Sequence, residues 1–101
     1  MSTVVLKFGG TSLKDKDSRK AAVDRIKEKL QQGKKPVVVV SAIGRKGSPY
    51  STDTLIELAK TVNNEFDNRE KDLIMSCGEV ISSVVMVQNL KDNGINAQTL
   101  T

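Results

Sequence analysis

The chain has 101 residues, 16 of them Lys or Arg and 12 Asp or Glu, for a net charge of +4. Having no histidine and a single cysteine, Cys77, it rules out an internal disulfide and a Ser-His-Asp triad, argues against a zinc centre, and suits a reducing cytoplasm. Two Phe, one Tyr and no Trp offer no base-stacking platform, and Lys14, Lys16, Arg19, Lys20, Lys34, Lys35, Arg45 and Lys46 are interleaved with acids as on a solvated face, so nucleic acid is not an expected partner.

The apolar run at Val4, Val5 and Leu6 predicts a first strand over residues 3–8, covered on both faces. Lys7-Phe8-Gly9-Gly10-Thr11-Ser12 follows it. The two glycines let the backbone turn sharply and approach a ligand closely, the next segment can aim helix N-terminal amides at an anion, and Lys7 adds a positive charge. The string is neither the Walker A nor the dinucleotide glycine pattern, and paired glycines are also ordinary turn residues. Spacing alone therefore leaves both phosphate binding and a plain turn open.

Asp17 or Ser18 is expected to cap a helix running to about residue 32, with Ala22, Val23, Ile26 and Leu30 on its inner face and Gly33 as its stop. Residues 36–41 form a second strand whose valine centre implies cover on both sides, and this run is far too short to span a bilayer. Met1-Ser2-Thr3 leads straight into a strand, with no leader and no membrane partner expected. After a glycine-containing basic loop over residues 42–51, Ser51 or Thr52 caps a helix with Leu55, Leu58, Ala59 and Val62 inward.

Asn63, Asn64, Asp67 and Asn68 mark a break, after which a third helical region spans about residues 69–93. There Gly78 is a kink or junction, and Val80, Ile81, Val84, Val87 and Leu90 point inward. Cys77 reads as a small packing residue, since no histidine could activate it. Glu79, in an apolar stretch, is costly to bury unless an ammonium group compensates it. Asn93-Gly94 ends the helix, and residues 95–101 begin a third strand.

This order of elements implies an α/β fold with a mostly parallel sheet, right-handed crossovers and ligands gathered beyond the carboxyl ends of the strands, where residues 8–12 and 41–47 lie. No internal repeat or interdomain linker is visible.

Four stretches in this order, Lys7 to Ser12, Ser41-Ala42-Ile43-Gly44, Thr52-Asp53 and Ser76-Cys77-Gly78-Glu79, resemble the motifs of the aspartate kinases within the amino acid kinase family. The resemblance implies a three-layer αβα sandwich of which residues 1–101 are the N-terminal part, with the rest of the kinase domain and the regulatory ACT domains absent. A strand only just begun at the end of the chain fits that expectation. ATP, with Mg²⁺ in the whole enzyme, and L-aspartate are the implied substrates of a cytoplasmic homo-oligomer. The reaction would open lysine, threonine, methionine and diaminopimelate synthesis.

Carried over residue by residue, Lys7 is the catalytic group on the transferring phosphoryl. Lys7, Gly9, Gly10, Thr11, Ser12 and Ser41 line the ATP phosphates, Ser41, Ala42, Thr52 and Glu79 the aspartate, and no residue of this chain is assigned to the metal. The loop Gly44-Arg45-Lys46-Gly47-Ser48-Pro49-Tyr50 resembles the diaminopimelate-sensitive aspartokinases of Bacillus-type bacteria. With the adenine pocket elsewhere, these residues alone are expected to be inactive. Two rival readings are another amino acid kinase, acting on glutamate or acetylglutamate, and a non-catalytic phosphate-binding module. The pairing of the Lys7 motif with Cys77-Gly78-Glu79 counts against the first.

Overall fold

Strands β1 (Thr3–Phe8) and β2 (Lys35–Val40) pair in parallel, with Leu6 opposite Val38 and Phe8 opposite Val40. The computed structural model describes residues 2–43 and 49–100, so Gly44, Arg45, Lys46, Gly47 and Ser48, the body of the basic loop, lie outside the described residues. Strand alternation puts Val4, Leu6, Phe8, Val38 and Val40 on one face and Val5, Lys7, Val37 and Val39 on the other.

A parallel pair needs a crossover, and α1 (Lys16–Gln31) supplies it, entered through a single 3₁₀ turn at Gly10–Ser12. The helix is capped by Asp15, not by Asp17 or Ser18, because only Asp15 stands three residues ahead of a free amide it can reach: its Oδ1 accepts from Ser18 N at 2.8 Å. Asp17 falls instead in the first turn, where an acid suits the helix dipole. At the other end Gly33, at φ 75°, closes the helix, with Lys34 N donating to Lys29 O at 3.1 Å and Gly33 N to Leu30 O at 3.0 Å.

The Ser18 amide holds the Asp15 carboxyl below its ordinary value of 3.8. A lowered folded-state pKa contributes stability above the unfolded value, and that contribution is lost as pH falls through the folded value. In an NMR titration the Ser18 amide is expected to shift with a midpoint below 3.8 as the start of α1 frays. An amide indifferent to acid over that range would show that the cap does not form in solution.

Ala22, Val23 and Ile26 of α1 pack onto Leu6 and Phe8, joined by Leu13, Ile43, Met86 and Leu90. Met86 and Leu90 belong to α3 (Asn68–Asp92), so α1 and α3 share one face of the sheet. The other face is open: Val5 is 64% exposed and Val37 and Val39 44% each. This corrects the expectation of strands covered on both sides, because the described residues supply only one helical layer. The radius of gyration is 15.3 Å, against roughly 13 Å for a closed domain of this length, and the molecule extends 50 × 25 × 17 Å.

α3 is capped by Asp67, which accepts from Glu70 N at 2.9 Å, and it closes at Gly94, φ 75°, with Ile95 N on Leu90 O at 2.9 Å. It runs unbroken through Gly78, which is a junction and not a break. Its buried stripe is Gly78, Ser82, Met86 and Leu90, whereas Val80 and Val84, expected inward, are exposed. Ser82 is 1% exposed and its hydroxyl has no partner among the described residues.

α2 (Thr52–Lys60) packs on α3 through a narrow face, leaving Leu58 and Val62 exposed where the pattern predicted burial. Leu30 of α1 is likewise exposed. Residues 95–100 form no strand, although Ile95 and Ala97 pack against the core. By length and composition α3 is apolar enough to cross a membrane, a property the short valine run does not reveal, but its inner stripe is seated on this core.

Candidate functional site

β1 and β2 end side by side, and Ser41 N donates to Phe8 O at 3.1 Å, carrying the ladder one step past the last strand pair. Gly9 and Ser41 therefore leave the sheet as neighbours, about one strand spacing (~4.8 Å) apart. The chain then turns over β1: Ser12 N donates to Gly9 O at 3.0 Å and Leu13 N to Gly10 O at 3.3 Å. Leu13, 1% exposed, anchors the turn in the core. Amides at the start of such a turn, here Gly10 and Thr11, find no acceptor within it. Thr11 is exposed and Ser12 half-buried.

Gly9 has φ −79° and ψ 174°, extended values open to any residue, and nothing lies within 4 Å of where a Cβ would stand. Neither backbone strain nor internal crowding calls for glycine there, and the space it leaves is open to a ligand. Gly9→Ala is accordingly expected to leave stability unchanged or raise it by about 0.4–1 kcal/mol, while weakening the binding of any phosphate-bearing ligand at this turn roughly tenfold, about 1.4 kcal/mol. Thermal melting and titration with a phosphate-bearing ligand on the complete encoded protein check the two halves. Equal affinity in wild type and variant would mean that the open space has no role.

Lys7 stands on the open face, paired in register with Val39, and is exposed. The ion pair found among the described residues is Arg69–Glu70, so no carboxylate there neutralises Lys7. On the other side of the strand ends, α3 touches down through Gly78. A Cβ at that position would stand 3.1 Å from Ala42 Cβ, 3.2 Å from Leu55 Cδ1 and 3.5 Å from Tyr50 O. The glycine lets α3 approach both the exit of β2 and the first turn of α2, which gathers Ser41-Ala42, Ser51-Thr52 and Gly78-Glu79 at one end of the sheet.

Ser51, buried, is the cap of α2: its Oγ accepts from Thr54 N at 3.3 Å and lies 2.9 Å from Thr54 Oγ1. Of the two capping candidates Thr52 is thus released, and its half-buried hydroxyl takes no part in the cap. Glu79 is exposed, so the cost of burial gives no argument for its role, and its carboxylate is accessible. Cys77 is also exposed, with Sγ 3.5 Å from Leu73 O, and is not the packing residue expected. Both corrections have one cause, that the helix turns Gly78 inward and its two neighbours outward.

The contact role of Gly78 was visible in the sequence only as a glycine inside a helical pattern. Ser51 was one of the two caps the sequence offered and is the one used, whereas the nearby Tyr50 carbonyl carried no signal. Among the described residues no group of three or more His, Cys, Asp or Glu comes together. The arrangement combines free amides and a lysine at one strand end with hydroxyls and an accessible carboxylate at the other, a set suited to a polyanion beside a group bearing both an acid and an ammonium.

A model described as the amino acid kinase family matches residues 2–101. Aspartokinase 1 of Bacillus subtilis (strain 168) is 54% identical over 101 residues, covering 100% of this chain and 25% of that protein. The aspartokinase of Geobacillus stearothermophilus is 38% identical over the same length, 24% of its own. Among solved structures, the aspartate kinase from Synechocystis superposes with a TM-score of 0.85 at 35% identity, covering 98% of this chain and 16% of that one. The chain thus spans about a quarter of the length of the curated relatives it matches.

Proposed function

This chain belongs to the amino acid kinase family, and from that premise we propose that it is the N-terminal part of an aspartate kinase, which transfers the γ-phosphoryl group of ATP to the side-chain carboxylate of L-aspartate. The observation that carries the reading is the convergence of the Gly9 turn, Ser41-Ala42, Thr52 and Gly78-Glu79 at the carboxyl ends of two parallel strands. Relatives named aspartokinase, matched over the whole chain, support it.

The acceptor carboxylate is already an anion at neutral pH, so one of its oxygens can attack the γ-phosphorus without a general base while the bond to the ADP oxygen breaks. The barrier is electrostatic: an anion must approach a polyanion. In this proposal the amides of Gly10 and Thr11, with the Thr11 and Ser12 hydroxyls, hold phosphate oxygens, and Lys7 neutralises the charge that moves with the transferring group. Gly9 keeps the approach clear. Ser41 stands between phosphate and amino acid, Ala42 lines the amino acid side, Thr52 donates to the substrate's carboxylate, and Glu79 pairs with its ammonium. Mg²⁺ bound with the nucleotide would supply further neutralisation of the phosphate charge.

The proposal extends to a cytoplasmic enzyme at the head of lysine, threonine, methionine and diaminopimelate synthesis, the exposed Cys77 thiol being suited to a reducing compartment. Resemblance of the 44–50 loop to diaminopimelate-sensitive enzymes supports diaminopimelate as the feedback inhibitor.

Coupled ADP-release assays on the complete encoded protein, with aspartate, glutamate and acetylglutamate side by side, test the reading. Aspartate-dependent turnover is expected, and turnover with either rival alone would replace the proposed acceptor. Within the same assay Glu79→Gln is expected to raise the aspartate KM by tenfold or more, about 1.4 kcal/mol, with the ATP KM little changed. A variant with both constants unchanged would remove Glu79 from the site.

A further inference from the structure

The turn that follows β1 is fastened from α1. Leu13 closes it through its amide, which donates to Gly10 O at 3.3 Å, and the Leu13 carbonyl accepts from Arg19 Nη1 at 3.1 Å. That second bond reaches back six residues, over Lys14 and the Asp15 cap, while the Arg19 amide donates to Asp15 O at 3.0 Å in the first turn of the helix. Leu13 is 1% exposed as a whole residue, and among the described residues no backbone amide reaches its carbonyl. Arg19 thus supplies the partner that this buried oxygen needs, and a buried carbonyl without one is destabilising by as much as a lost hydrogen bond.

We propose that Arg19 is a positioning residue for the phosphate site: its guanidinium keeps Leu13 O in the interior and so sets the aim of the Gly10 and Thr11 amides. The inference rests on the phosphate role proposed above for those amides. Without the guanidinium the Leu13 carbonyl must turn toward water. Doing so swings the Leu13–Lys14 peptide, which joins the turn to the cap of α1. The turn then keeps its own bonds, Ser12 N to Gly9 O and Leu13 N to Gly10 O, and loses its polar tie to the helix. Amides aimed at an anion bind it well only when they are held in place beforehand, so a looser turn grips phosphate less tightly. Thr52 and Glu79 sit on α2 and α3, outside this linkage, so the amino acid side is left as it was.

Arg19→Met keeps the apolar stem and the helix propensity and removes the donors. In steady-state assays on the complete encoded protein it is expected to raise the ATP KM about fivefold to tenfold, with kcat and the aspartate KM within about twofold, the pattern of lost uniform binding. Arg19→Lys retains a cationic donor on a long stem and should recover most of the lost ATP affinity. Hydrogen–deuterium exchange on the ligand-free protein reads the same bond without substrate. The peptide spanning residues 9–15 should exchange several-fold faster in Arg19→Met and near the wild-type rate in Arg19→Lys, with peptides from the middle of α3 unchanged.

An arginine that only stabilises the fold would lower the melting temperature and leave the ATP KM unchanged, and that result would overturn the proposal. So would an equal rise in both KM values, or exchange over residues 9–15 no faster than in wild type. Were the wild type to show no aspartate-dependent turnover, the phosphoryl-transfer reading would fall. Direct titration with ATP, together with the exchange rates, would then still decide whether Arg19 positions the turn.

Discussion

If the proposed phosphoryl transfer holds, Lys7→Ala is expected to lower the kcat of the complete encoded protein by about 10²–10³-fold, the usual cost of removing one group that stabilises transition-state charge. The aspartate KM should change far less, because the proposed role of Lys7 concerns charge on the phosphoryl group and not recognition of the amino acid. The side chain is exposed on the open sheet face and has no ion pair among the described residues, so its loss should leave the melting temperature nearly unchanged. Steady-state kinetics with both substrates varied, together with thermal melting, check the three parts. A variant that keeps its kcat and loses only aspartate affinity would move Lys7 to the amino acid side. Together with Glu79→Gln, it also tests the division of labour: if the two variants share one kinetic profile, the assignment of phosphate and ammonium roles is wrong.

Gly78→Val should damage both fold and site. A Cβ alone would come within 3.1 Å of Ala42 Cβ, which is fixed to its own backbone, and 3.2 Å of Leu55 Cδ1, which can rotate away. Valine adds two branches to that contact, and overpacking of this kind costs about 1–3 kcal/mol. Because Gly78 is where α3 meets the exit of β2 and the first turn of α2, relief of the clash must displace Ala42 or α2, and Thr52 with it. The aspartate KM is therefore expected to rise by tenfold or more, about 1.4 kcal/mol. Gly78→Ala is the informative control: its helix propensity gain of about 1 kcal/mol opposes the tighter contact, so stability should shift little while aspartate affinity still falls. Unfolding by denaturant and aspartate titration separate the two effects. A Gly78→Val protein of wild-type stability would show that α3 does not sit this close in solution.

Local order in this molecule was readable from residues close together in the chain. The strand of Thr3–Phe8, the helix stop at Gly33 and the end of α3 at Gly94 follow from apolar runs and from glycines that take φ 75°, so chemistry within a few positions determined them. The motifs of the candidate site belong here too, since the Gly9-Gly10 turn after a strand and the Gly78-Glu79 pair are short patterns whose order along the chain was enough to suggest a family. Only the tertiary structure decided which faces are covered. Val37, Val39, Val80 and Val84 are as hydrophobic as their buried neighbours, and nothing in a valine records whether a second layer is present to cover it. The exposure of Cys77 and Glu79 and the inward turn of Gly78 and Ser82 were decided in the same way. Which side of a helix faces inward depends on how closely it can approach its neighbours, and at Gly78 that distance is set by Ala42 and Leu55, residues far away in the chain.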